Sequence, residues 1–177
     1  MIRAIWNTAK PVVAAVEGAA YGAGVALALA CDRVVAARDA RFATTFTNVG
    51  LAGDMGIFAS LPRRVGVARA RQMLMLPEPV AADQALAWGM VDALADPGSA
   101  VQAALADASR LAHGPAEAYG VIKMLLTAAP TMHPLEVLEE EIANQSLLFG
   151  SDDFAEGAAA FHEKRRPAFG QRKGAQS

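Results

Sequence analysis

Residues 19–32 read Ala-Ala-Tyr-Gly-Ala-Gly-Val-Ala-Leu-Ala-Leu-Ala-Cys-Asp, a glycine-broken turn that runs directly into a small, apolar segment. Ahead of it, Lys10-Pro-Val-Val-Ala-Ala-Val16 is short, β-branched and uncharged beyond Lys10, the pattern of a buried strand. Gly18, Gly22 and Gly24 carry no Cβ, which allows a tight turn and a close approach of backbone to a ligand. Residues 25–31 continue as an Ala- and Leu-rich helix. A helix that starts at such a turn points unpaired N–H groups outward, with the positive end of its dipole behind them. This suits a phosphate, a carboxylate or the oxygen of a developing enolate.

Other readings of the same stretch are weaker. Gly22-Ala-Gly24-Val-Ala-Leu27 has Leu where a dinucleotide fingerprint needs Gly or Ala, and no Gly-Lys-Ser/Thr follows as a P-loop requires. Residues 12–31 hold one charge, Glu17, and Gly18-x-x-x-Gly22 imitates a membrane-helix contact. The central glutamate and the clustered glycines argue against a continuous span, so none is expected. A closely packed strand–turn–helix with no chemistry fits these residues equally well when they are taken alone.

The whole chain has 177 residues, 54% hydrophobic and 19% charged, enough for one domain or one domain with a helical extension. A net charge of −2 excludes an electrostatic case for nucleic acid. The single cysteine, Cys31, permits no disulfide within the chain and agrees with a reducing, cytoplasmic location. The first ten residues do not resemble a signal peptide.

In order, residues 1–9 read as the last turns of a helix with Ile2, Ile5 and Trp6 on one side. Short strands are expected at 33–37 and 41–44, a loop at 46–54, and a helix from Gly56 that Pro62 interrupts. Further helices are expected over 66–75 (Val67, Ala70, Met73 and Leu74 inward), 81–88 and 99–112 (Val101, Leu105, Ala108 and Leu111 inward), with a strand at 90–94. Pro115 and Pro134 open two more helices, the second carrying Leu135, Leu138, Ile142 and Phe149 at three-to-four spacing. Ser151 caps a last helix whose apolar side is Phe154, Ala158 and Phe161. The expected plan is an α/β core over 1–97, a helical region over 98–170 and a disordered polar tail over 171–177. His113, His133 and His162 lie far apart and near helix ends, which suits capping or surface roles rather than a metal.

Taken together, several blocks resemble the enoyl-CoA hydratase/isomerase (crotonase) family. They are Lys10-Pro-Val-Val-Ala-Ala-Val16, Gly22-Ala-Gly24, Ala30-Cys-Asp-Arg-Val34, Asn48-Val-Gly-Leu51, Leu61-Pro-Arg-Arg-Val-Gly66, residues 81–92 and residues 156–169. The resemblance implies a spiral of ββα units with a C-terminal helical trimerisation region, as a homotrimer or dimer of trimers. It implies an acyl-CoA substrate, with coenzyme A part of the substrate and no separate cofactor. The thioester oxygen would sit on the Ala23 N–H, with Gly22 and Gly24 shaping the turn; the other donor, and strands the family carries ahead of Lys10, are expected to be missing here. Hydratases of the family carry two glutamates at positions that are Ala26 and Phe46 in this chain, so neither hydratase carboxylate exists.

One acid stands where isomerases of the family carry a catalytic aspartate: Asp54, in Gly50-Leu-Ala-Gly-Asp-Met-Gly56, with Phe46 and Phe58 expected to make its surroundings apolar. A single carboxylate suffices to move a proton between two carbons. Left without that role, Asp54 would be a loop residue capping the helix at Gly56. Lys164 and Phe169 match the C-terminal segment with which the family meets coenzyme A. The expected activity is double-bond migration in an enoyl-CoA. The alternatives are hydratase in name only, a nucleophilic role for Asp54 as in dehalogenases, and an inactive remnant that only oligomerises or binds acyl-CoA.

Overall fold

The computed structural model describes residues 1–170; the expected tail at 171–177 lies outside the described residues. The chain divides into two units. One comprises residues 1–7 and 12–108, the other residues 8–11 and the chain from Ser109 onward.

The first unit opens with helix α1 (Ile2–Asn7), then β1 (Val13–Val16), β2 (Ala19–Tyr21) and α2 (Ala23–Ala30). Next come β3 (Arg33–Ala37), β4 (Arg41–Ala43), a 3₁₀ turn (Thr45–Val49), α3 (Ile57–Val65) and α4 (Val67–Met75). It continues through β5 (Val80–Ala81), α5 (Ala82–Ala87) and β6 (Ala93–Ala95) into α6 (Ala100–Ala112). Among the described residues the strands form two three-stranded sheets, ordered β1-β3-β6 and β2-β4-β5. β1 and β3 join one sheet, and the strands that follow them, β2 and β4, join the other, which is the arrangement expected of ββα units wound in a spiral. β1–β3, β3–β6 and β2–β4 are parallel, and β4–β5 is antiparallel.

The step from strand to strand in the first sheet uses one device twice. Asp32 donates its N–H to Val12 O at 2.9 Å and accepts the Val12 N–H on Oδ2 at 2.7 Å. Asp92 does the same with Val34, at 2.9 and 2.7 Å. Each aspartate thereby imitates a paired strand residue and satisfies a backbone donor at the sheet's margin. Arg64 holds Asp92 through both carboxylate oxygens at 2.9 Å. Phe42, Ile57, Leu61 and Met90 are fully buried between these layers. Such burial stabilises by about 1.5–3 kcal/mol per large side chain.

Several expectations need correction. Residues 19–21 are a strand rather than part of a turn, because Ala19, Ala20 and Tyr21 find partners in Arg41, Phe42 and Ala43. The segment expected as a loop begins as a 3₁₀ turn. Pro62 lies inside α3, which runs on to Val65; buried Leu61 and Val65 hold the helix where one backbone bond is forfeited. Val67 is exposed, whereas Ala70, Met73 and Leu74 are buried.

Helix α6 is rotated from its expected setting. Ala100 and Ala104 are buried, and Val101 and Leu105 are exposed. Its N-terminus is held by Glu17, whose carboxylate accepts the N–H groups of Gly98 and Ala100 at 3.1 and 2.7 Å. About two turns on, Asp107 pairs with Arg33 at 2.5 Å. These two anchors turn residues 100, 104 and 107 inward.

The second unit contains α7 (Ala116–Ala128), α8 (Pro134–Phe149) and α9 (Asp152–Glu163). His133 caps α8 in a box with Glu136, and Ser151 caps α9 by accepting from the Phe154 N–H at 3.1 Å. Within this unit, Lys123 Nζ donates to Lys10 O at 3.2 Å. The chain after α9 folds back onto that helix: Glu156 accepts from the Ala168 N–H at 2.7 Å, Asp153 from the Gly170 N–H at 2.9 Å, and Phe169 packs on Gly157. This covers the 153–156–157–160 side. The expected apolar side is the uncovered one, with Phe154 and Phe161 exposed and Ala160 buried.

Candidate active site

The site begins where two parallel strands end. Because β2 and β4 run the same way with Tyr21 beside Ala43, the segments leaving them emerge side by side at one sheet margin. The Gly22 N–H ties the first segment to the second, donating to Ala43 O at 2.8 Å. Gly22 adopts φ 52° and ψ −116°, a conformation open to glycine, and α2 starts immediately after it. No side chain caps that start, so the donors of the first turn, Ala23 among them, are left for another acceptor. Ala23 and Gly24 are exposed and Gly22 is half-buried. Gly24 takes ordinary helical torsions, so its value here lies in its missing side chain, not in a special φ.

The segment leaving β4 brings Phe46 against this bend. A Cβ at Gly22 would lie 3.5 Å from Thr45 Oγ1 and 3.9 Å from Phe46 Cε1. The same phenylalanine ring meets the next loop, since a Cβ at Gly53 would lie 3.5 Å from Phe46 Cδ2, 3.5 Å from Phe58 Cε2 and 2.9 Å from Ile57 Cγ2. Phe46 thus packs between Gly22 and Gly53. Ala23 directly follows one of these glycines and Asp54 directly follows the other.

The loop around Asp54 is unusual in its torsions. Gly53, Met55 and Gly56 take φ values of 122°, 51° and 78°. For Met55 the left-handed region costs on the order of 1 kcal/mol. Asp54 is exposed, not set in the apolar surroundings expected from Phe46 and Phe58. Its backbone carbonyl accepts the Ile57 N–H at 3.1 Å, while no side chain caps α3. The capping role for Asp54 is therefore excluded, and among the described residues its carboxylate takes no hydrogen bond.

The two positions at which the resemblance sets hydratase glutamates are apolar and closed. Ala26 is fully buried and Phe46 is 8% exposed. Phe58 is exposed at the rim. Lys164 and Phe169 belong to the other unit. Lys164 ends α9 with φ 55°, and Phe169 lies on Gly157. Beside them Arg165 is committed to its own chain: the hydrogen bonds it donates to Glu156 and then Glu163 push its guanidinium pKa above the usual arginine range. Thr45, whose hydroxyl stands beside Gly22, escaped sequence reasoning because nothing local marks it; the pairing of β2 with β4 puts it there.

Among the described residues no group of His, Cys, Asp and Glu could hold a metal ion, and no helix is long and apolar enough to cross a membrane.

The enoyl-CoA hydratase/isomerase family model matches residues 1–172. The chain is 41% identical over 170 residues to a probable enoyl-CoA hydratase of Rhodobacter capsulatus, covering 96% of this chain and 66% of that protein. It is 38% identical over 169 residues to the 1,2-epoxyphenylacetyl-CoA isomerase of Escherichia coli, covering 96% of this chain and 64% of that one. A solved enoyl-CoA hydratase from Polaromonas superposes with a TM-score of 0.90 at 39% identity, over 94% of this chain and 65% of that chain. The chain spans about two-thirds of the length of the curated relatives it matches. It belongs to the enoyl-CoA hydratase/isomerase family and has the crotonase fold.

Proposed function

From that membership we propose that the protein moves a double bond in an enoyl-CoA, with Asp54 carrying the proton and the Ala23 N–H holding the thioester oxygen. The observation that supports this reading is the contrast among three positions. Ala26 and Phe46 are buried and apolar where a hydratase needs carboxylates, whereas Asp54 is exposed on a loop that Phe46 connects to the Gly22 bend. Water addition calls for groups that activate the water and deliver a proton, and neither a methyl group nor a phenyl ring does so.

In the proposed reaction the Asp54 carboxylate removes a proton from the carbon flanking the double bond. The electron pair shifts through the conjugated system onto the thioester oxygen, where the Ala23 N–H and the positive end of α2 stabilise it. The same carboxylic acid returns the proton two carbons away, so nothing is gained or lost overall. A donor of this kind is worth on the order of 10²–10³ in rate, and a positioned base about 10²–10⁴. The Escherichia coli relative, named an isomerase, supports the reading, although hydratase names occur at similar identity.

The rest of the assignment follows from the same proposal. The substrate is an acyl-CoA, coenzyme A leaves with the product, and no further cofactor takes part. Gly22, Gly24, Ala26, Phe46 and Phe58 shape the acyl end, while Lys164 and Phe169 meet the coenzyme A of a neighbouring copy. The protein works as a homotrimer or dimer of trimers in the cytoplasm. Leu135, Leu138, Ile142 and Leu147 of α8 are 49–76% exposed, an apolar surface of the sort that marks an interface.

The test is incubation of the protein with 3-enoyl-CoA and 2-enoyl-CoA. Migration of the double bond that disappears in Asp54→Ala supports the proposal. Hydration without migration, or undiminished migration in Asp54→Ala, refutes it.

A further inference from the structure

The Asp54 loop has little to hold it in place from within. Three of the four residues 53–56 have positive φ; among the described residues the 54–57 turn is closed by the Ile57 N–H donating to Asp54 O, and Gly56 O accepts the Ala59 and Ser60 N–H groups at 2.9 and 3.0 Å. From below, fully buried Ile57 anchors its exit. From the side, Trp6 of α1 lies directly on Gly56. A Cβ at Gly56 would fall against the six-membered part of the indole, 2.7 Å from Cζ2 and 3.4 Å from Cζ3 and closer still to Cη2. No real Cβ tolerates such contacts, so the ring occupies the space that any other residue at 56 would need. Trp6 nevertheless keeps 38% of its surface exposed and makes no contribution to the fully buried core. A large aromatic ring laid at that exposure on a glycine two residues from the acid of the proposed function has a more specific consequence than bulk stability.

We propose that Trp6 is a positioning residue for Asp54. By pressing on Gly56 it fixes the left-handed Met55–Gly56 pair and thereby the direction of the carboxylate before it. This deepens the reading of Asp54 as the proton carrier and rests on it. The indole touches no reacting atom. Its effect is on geometry, to which proton transfer is far more sensitive than binding is.

The experiment compares Trp6→Leu with Trp6→Phe in the full chain, by steady-state kinetics on a 3-enoyl-CoA and by hydrogen exchange. Trp6→Leu is expected to lower kcat roughly 10- to 100-fold, with KM within about twofold. Trp6→Phe, which keeps a ring on Gly56, recovers most of the rate. Exchange at the Ile57 amide rises about tenfold in Trp6→Leu while the β3 amides are unchanged, as for a local opening. Unchanged kcat in Trp6→Leu overturns the proposal. So does a loss that appears chiefly in KM, or one accompanied by faster exchange throughout β3, since either shows a merely structural role. Should the parent protein move no double bond at all, the functional reading fails, and exchange at Ile57 alone still decides whether Trp6 holds the loop.

Discussion

The bend at Gly22 and the loop at Asp54 are both built on glycines and both pack on Phe46, yet they put chemistry in different places. At Gly22 the proposed function rests on backbone N–H donors at an uncapped helix start, and not on the side chain of Ala23. At Asp54 the proposed function rests on one carboxylate, carried on a loop with a run of positive φ angles. The first device depends on torsions that only glycine accepts. The second depends on one side chain and on whatever keeps a strained loop still. A backbone donor tolerates a change of its own side chain but not of the glycine that sets its direction, whereas a side-chain acid is lost with one substitution.

Substitutions can break this contrast or sharpen it. The largest effect is expected for Asp54→Asn, which preserves shape and removes the base: kcat for migration falls about 10²–10⁴-fold with little change in KM. Steady-state kinetics on 3-enoyl-CoA checks it, and a mutant within threefold of the parent would erase the distinction between the two segments. Next comes Gly22→Ala. Space is not the obstacle, since the nearest atom to an added Cβ is 3.5 Å away; the φ 52°, ψ −116° conformation is. Thermal denaturation should show a loss of about 1–3 kcal/mol, and kcat should drop by on the order of 10² as the donors move. The smallest effect belongs to Ala23→Ser. An exposed side chain next to a backbone donor should leave stability within about 0.5 kcal/mol, with kcat close to the parent's. A large loss there would mean that the side chain, not the N–H, matters at this position.

Much of this was legible in advance. The strand at Arg33–Ala37, the glycine bend before an Ala- and Leu-rich helix, and the caps at Pro115, His133 and Ser151 all follow from residues within a few positions of each other. The family resemblance, carried by blocks such as Lys10-Pro-Val-Val-Ala-Ala-Val16, is borne out by the family match and the fold. What escaped was of another kind. β2 and β5 are too short for a periodic signal and exist because β4 lies between them. Helix α6 buries Ala100 and Ala104 rather than Val101 and Leu105, because Glu17 and Arg33 hold it from far away in the chain. Hydrophobicity alone named the wrong face.

The sequence by itself determined the local conformations and the chemical inventory: glycines where the backbone must bend, one aspartate in a glycine-rich loop, and strands rich in alanine and valine. These are properties of single residues and their near neighbours, set by sterics and side-chain chemistry. Only the tertiary structure decided that Phe46 joins the Gly22 bend to the Asp54 loop, and that Trp6 presses on Gly56. The reason is physical. Parallel strands from distant parts of the chain must share hydrogen bonds in register, and that register, not any local preference, brings their ends to the same place.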